Sequence, residues 1–226
     1  IIWKLGKNGG IVVAEYHSDS KCLIGRISPN TMVEKFKEKF NVTLQLTKTQ
    51  TLEYADYPVL LAVRPRSSTI CEPKTAVFKE IIPAIINNKL ASIGIKKRSH
   101  LHPKMLEQMC LEYLRTGPIP DDQKLKYCIL RPGKSMATID ITGVSTSNKT
   151  IYAQVKAGRI IETDHEAFIE FVKGKSNTIN FVFSEKNDSL KKEEGIYYID
   201  VDTVFNHFNK TDEGKEMIKR MIGFKI

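Results

Sequence analysis

Asp140, Gln154 and Lys156 form the set of side chains in this chain best suited to hydrolysing a phosphodiester. That reaction needs the charge on a phosphate neutralised and a water made nucleophilic. A carboxylate such as Asp140 binds a hard divalent cation, Mg²⁺ or in its place Mn²⁺, through oxygen. The cation polarises the phosphate and lowers the pKa of bound water. A lysine orients or helps to deprotonate that water and stabilises the charge that develops. The amide oxygen of Gln154 can hold the metal or its water, without the extra negative charge of a glutamate. The main-chain carbonyl of Val155, between the two, is a further candidate ligand.

Strand alternation is what would bring these groups together. If Thr150–Ala157 is extended, Ile151, Ala153 and Val155 point one way and Tyr152, Gln154 and Lys156 the other. On a preceding strand, Ala137–Val144, Asp140 opposes Ile139 and Ile141 and so stands on the less apolar face. The polar loop Ser145–Lys149 would pair the two strands. Upstream, His102-Pro103 opens a helix to about Arg115, ended by Gly117-Pro118-Ile119-Pro120. Its apolar stripe is Leu106, Met109, Cys110, Tyr113 and Leu114. At ~100° per residue, Glu107 falls at the edge of that stripe and Glu112 on the far side. Glu107 is therefore a second candidate carboxylate, and Glu112 is expected to face away from the sheet. Further elements are a strand near Lys126–Leu130, a helix over about His165–Lys173, strands Ile179–Ser184 and Ile196–Ile199, and a helix Val201–Phe208. Asp200 and Asp202 read as the border of a strand and the cap of that last helix. His165 and Glu166 read as surface or cap residues. The order α-β-β-β-α-β-β-α implies a mixed sheet with helices packed on it, an α+β or α/β arrangement.

This region resembles the PD-(D/E)XK nuclease superfamily, and within it the Mrr-type restriction endonuclease catalytic domains. The matching segments are HPKMLEQMCLEYL (His102–Leu114), TIDITGV (Thr138–Val144), IYAQVKAG (Ile151–Gly158, a QxK variant of the catalytic strand), INFVFSE (Ile179–Glu185) and GIYYIDVDTVFNHF (Gly195–Phe208). They span about residues 98–210. The resemblance implies a restriction-endonuclease-like αβββαβ core, with Asp140 as metal ligand, Gln154 and Lys156 completing the site and Glu107 assisting. It implies Mg²⁺-dependent cleavage of double-stranded DNA to 5′-phosphate and 3′-hydroxyl ends, by a homodimer where both strands are cut. The glycine-rich segment that often surrounds the Asp in Mrr domains is reduced here to Gly143. Endonuclease subunits of some transposons also use a Glu…Asp…QxK set, resolvases and repair nucleases share the fold, and a degenerate, non-catalytic DNA-binding version of the fold is the alternative outside enzymes.

The break near residues 94–100, GIKKRSH, divides the chain into residues 1–95 and 96–226. The first part reads as a strand-rich mixed domain. Short β-like runs are Ile1–Leu5, Ile11–Tyr16 and Cys22–Ile27, with Lys7-Asn8-Gly9-Gly10 as a turn. Ser28-Pro29 predicts a helix to about Phe40, followed by strands Val42–Thr47 and Val59–Pro65 and a helix Thr75–Asn88. Trp3 reads as a core anchor. By the resemblance this domain would be the DNA reader, with a structural or dimerisation role as the alternative.

A formal charge of +9, from 35 basic and 26 acidic residues, favours a polyanionic partner. Lys96, Lys97, Arg98, Lys134, Arg159, Arg64, Arg66 and Lys48 are candidate phosphate contacts. His100 and His102 are expected to face solvent or phosphate rather than zinc. Cys22, Cys71, Cys110 and Cys128 form no CxxC pair, which argues against a zinc knuckle and for free thiols in a reducing cytoplasm. No run approaches the ~18 apolar residues of a membrane span, so no membrane partner is expected. Residue 1 is Ile rather than Met, which leaves upstream sequence open.

Overall fold

The computed structural model describes residues 2–15, 21–36, 41–43, 45–53, 77–89, 97–129, 138–186 and 193–222. The architecture is mixed α+β: an N-terminal three-stranded antiparallel sheet, then helices and a five-stranded mixed sheet with helices packed against it. The chain divides into two compact units, Ile1–His102 with Met217–Ile226, and Pro103–Glu216. Among the described residues no helix is long and apolar enough to cross a membrane.

In the first unit, Ile2–Asn8 is helix α1, not the strand expected at Ile1–Leu5. The reason lies in the glycine pair read as a hairpin turn. Gly9 has φ +71° and its N–H donates to the Leu5 carbonyl at 2.8 Å, so it closes a helix in the left-handed conformation that glycine adopts without strain. Trp3 is correspondingly 58% exposed rather than a core anchor. Strand β1 (Gly10–Glu15) pairs antiparallel with β2 (Lys21–Ile27), and β2 with β5 (Thr47–Glu53). Between them, Ser28-Pro29 does not open a helix. Asn30 at φ +60° donates its N–H to the Lys7 carbonyl, and Thr31 Oγ1 donates to the Ser28 carbonyl, so a tight turn consumes the expected cap. Glu34–Phe36 (β3) then pairs with Asn41–Thr43 (β4). The strand Val59–Pro65 lies outside the described residues. A π-turn, Val77–Ile81, runs into helix α2, Ile82–Ile86, within the helix expected at 75–88. His100 is buried, not solvent-facing: its Nε2 lies 2.7 Å from Glu80 Oε2.

The second unit follows the expected order closely. Helix α3 (Pro103–Thr116) buries Met105, Leu106, Met109, Cys110, Tyr113 and Leu114, the stripe read from sequence plus Met105. Strands β6 (Leu125–Cys128), β7 (Ile141–Ser145), β8 (Thr150–Val155), β9 (Thr178–Ser184) and β10 (Ile196–Asp200) form one sheet in the order β10-β9-β8-β7-β6. β6, β7 and β8 run antiparallel, whereas β9 and β10 lie parallel to β8. The parallel crossover from β8 to β9 is made by helix α4, Glu162–Val172. Helix α5 (Val201–Asn209) follows β10, and α6 (Asp212–Ile222), for which no element was expected, follows α5. Asp200 caps α5, accepting the Asp202 N–H at 3.0 Å.

Helices cover both sheet faces, which explains why β9, Thr-Ile-Asn-Phe-Val-Phe-Ser, is buried along nearly its whole length. On one face Tyr113 of α3 meets Phe183 edge-on at 6.5 Å and His207 of α5 at 5.3 Å. On the other, Phe168 and Val172 of α4 pack with Ile139, Ile160 and Val182, flanked by Tyr152, Phe171, Ile196 and Tyr198. Cys22 and Cys110 are buried and Cys128 half-buried, all three as free thiols; burial pushes the Cys22 thiol up to about 11.

Candidate active site

Asp140 does not lie within a strand as expected; it immediately precedes β7. Its N–H donates to the Ala153 carbonyl at 2.9 Å, and its carboxylate Oδ2 accepts the Val155 N–H at 2.7 Å. The side chain thus takes the ladder position that a neighbouring carbonyl would otherwise fill. A short acid at the start of β7 is thereby pinned onto the end of β8, beside the residues that flank Val155.

Those flanking residues differ sharply in environment. Gln154 is 1% exposed, on the face that α4 covers, and its Oε1 is buried with no hydrogen-bond partner. An unmatched buried amide oxygen costs free energy unless something outside the chain's own groups satisfies it. Lys156 leaves the strand end partly open: its side chain is 30% exposed and its Nζ lies 2.7 Å from Asp164 Oδ2, in the first turn of α4. The Lys156 N–H donates to the Phe183 carbonyl at 2.8 Å, so the backbone stays tied to β9 as the side chain emerges.

Glu107 of α3 is half-buried and bonds Lys104 Nζ at 2.7 Å. Its charge reaches Asp140. The outer surface of Asp140 is exposed, yet its carboxyl is held above the ordinary carboxylate value. Desolvation of the oxygen seated against β8 contributes most; the Val155 N–H opposes it, the Glu107 carboxylate adds to it, and Lys156 and Lys104 oppose it. Two acids and two ammonium groups from α3, the β7 start and the β8 end therefore share one field. Glu112, expected to face away from the sheet, is half-buried, lies 3.8 Å from Arg115 and perturbs the Cys128 thiol at the outer strand.

Among the described residues no three His, Cys, Asp or Glu side chains cluster as a metal cage. A magnesium ion does not require one, since it keeps several waters and binds through one or two carboxylates. The Asp140 and Glu107 carboxylates, which feel each other's charge, are hard oxygen donors of the kind such an ion takes, and the unpartnered Gln154 Oε1 is a third oxygen of that kind, on the α4 face.

Of the candidate phosphate contacts, Arg159 is exposed just beyond β8, and Lys97 is exposed and Arg98 half-buried at a 3₁₀ turn of the first unit. Lys96, Lys134, Arg64 and Arg66 lie outside the described residues. Sequence reasoning missed Asp164 and Lys104. Lys104 could have been found from its i, i+3 spacing to Glu107; Asp164 had only the weaker signal of an acid in a helix's first turn. His165, read as a surface or cap residue, is buried, with Nε2 2.8 Å from the Tyr198 hydroxyl.

Comparisons with protein-family models, with curated proteins and with solved structures give no match.

Proposed function

We propose that the chain is a Mg²⁺-dependent endonuclease that hydrolyses phosphodiester bonds in duplex DNA, of the restriction type, with an Mrr-like catalytic domain in residues 96–226. The observation that carries this reading is the bond from Val155 N–H to the Asp140 carboxylate, which ties an acid to the end of the strand that carries the unsatisfied amide of Gln154 and leads into Lys156.

Asp140, Gln154 Oε1 and the Val155 carbonyl would hold the ion, with Glu107 as the second carboxylate. When bound, Mg²⁺ or Mn²⁺ supplies Lewis-acid polarisation of the phosphate and a more acidic water. The protein's own contribution is positional and electrostatic. Val155 N–H fixes the Asp140 carboxylate and the β9 main chain fixes the backbone of Lys156; the Lys156 ammonium would face the attacked phosphate, orient the water and offset developing negative charge. Arg159 would contact the adjoining backbone. Residues 1–95 would act as the recognition domain, the net charge of +9 would draw the enzyme to DNA, and two copies would cut the two strands. The free thiols suit a cytoplasmic location.

The test is incubation of methylated and unmethylated supercoiled plasmid with the protein, with Mg²⁺ and with EDTA. Nicked or linear products bearing 5′-phosphates, formed with Mg²⁺ alone, are expected. Identical plasmid in both arms, at protein concentrations that bind DNA, would contradict the proposal.

A further inference from the structure

We propose that Asp164 is a positioning residue for the Lys156 ammonium, an inference that rests on the hydrolytic reading above. Lys156 interacts with two carboxylates. Its charge is felt at Asp140, but its ion pair, at 2.7 Å, is with Asp164. If Asp140 is committed to a cation, Asp164 is the group left to hold the amine.

Two observations separate this from an ordinary acid at a helix start. First, the residue at the N-cap, Ile161, makes no side-chain cap, and Asp164 directs its Oδ2 to Lys156, which lies off the helix. Favourable interaction with the helix dipole would be available in any rotamer, so it does not account for that direction. Second, the helix that carries Asp164 is anchored from the adjacent residue onward. His165 is buried against the Tyr198 hydroxyl at 2.8 Å, the same hydroxyl accepts the Glu193 N–H at 3.1 Å, and Phe168 is fully buried. Asp164 therefore sits on a fixed element, one residue before the anchor. With side chains 30% and 41% exposed, the pair contributes little to stability, as solvent-screened ion pairs do. What it does restrict is the amine of a four-carbon side chain that would otherwise sample many rotamers.

The experiment compares wild type, Asp164→Asn, Asp164→Glu and Lys156→Ala in Mg²⁺-dependent plasmid nicking, and follows the Lys156 ammonium by ¹⁵N NMR of the full chain without divalent ion. Asp164→Asn should lower kcat about tenfold or more, as misplacement of a reacting group does, with KM unchanged. Its Lys156 ammonium signal should be lost to solvent exchange, and Asp164→Glu should restore part of both. An unchanged kcat in Asp164→Asn with an inert Lys156→Ala would overturn the role of Asp164 alone. So would a raised kcat, which would make the pair a latch, or a lowered kcat with an unchanged ammonium signal. Full activity in Lys156→Ala, or no nicking by wild type, would remove the hydrolytic reading and this inference with it.

Discussion

Asp140 is seated where burial disfavours its charge. Its carboxyl is raised above the ordinary value near 3.8, chiefly by desolvation. A carboxyl with a raised folded-state pKa favours the fold fully below its unfolded pKa and loses that contribution as pH rises through the folded value. Wild type should therefore weaken, relative to Asp140→Asn, as pH rises from about 3 to about 7 in EDTA. Melting temperatures of the two proteins across that range check this; a gap that stays constant, or one that widens in favour of wild type, would show that Asp140 is not strained. Asp140, expected within a strand, precedes one and is held there by a side-chain bond to Val155 that alternation does not encode, whereas the shared face of Gln154 and Lys156 was legible from two-residue alternation. Asp164 was not, because its relation to Lys156 depends on how the β8-to-β9 crossover returns along the sheet, which no local pattern encodes.

The elements that position these groups were legible wherever one periodic signal acted alone. The α3 stripe, the apolar run of β9 and the capped start of α5 are examples. Misreadings came where glycine or proline chemistry had two local solutions. Gly9-Gly10 serves a helix end as well as a hairpin, and Ser28-Pro29 serves a turn as well as a helix start; tertiary bonds to Lys7 and Thr47 decided the second case. Gly143 is a glycine whose purpose sequence did not disclose. It pairs with Cys128 across β6, and a Cβ there would run into the Tyr127 carbonyl oxygen and the Leu125 side chain. Gly143→Ala should therefore push β6 from β7 and cost about 1–3 kcal/mol in urea unfolding, the range for overpacking. An unchanged midpoint would mean that β6 does not lie so close. The glycine retained near Asp140 thus stands where backbone approaches backbone.

For the molecule as a whole, a charge of +9 suits a DNA-cutting enzyme and a protein that only binds DNA alike. Fold class does not separate the two either, since function resides in the site rather than in the architecture. Binding and cutting have to be measured side by side. The decisive measurement is DNA retention by mobility shift, without divalent ion, alongside Mg²⁺-dependent cleavage, for wild type, Asp140→Ala and Lys156→Ala. Both variants should retain DNA as wild type does while cleavage falls about 10²-fold or more, as for loss of one electrostatic contact in a hydrolytic site. Cleavage at the wild-type rate by either variant would contradict the assignment.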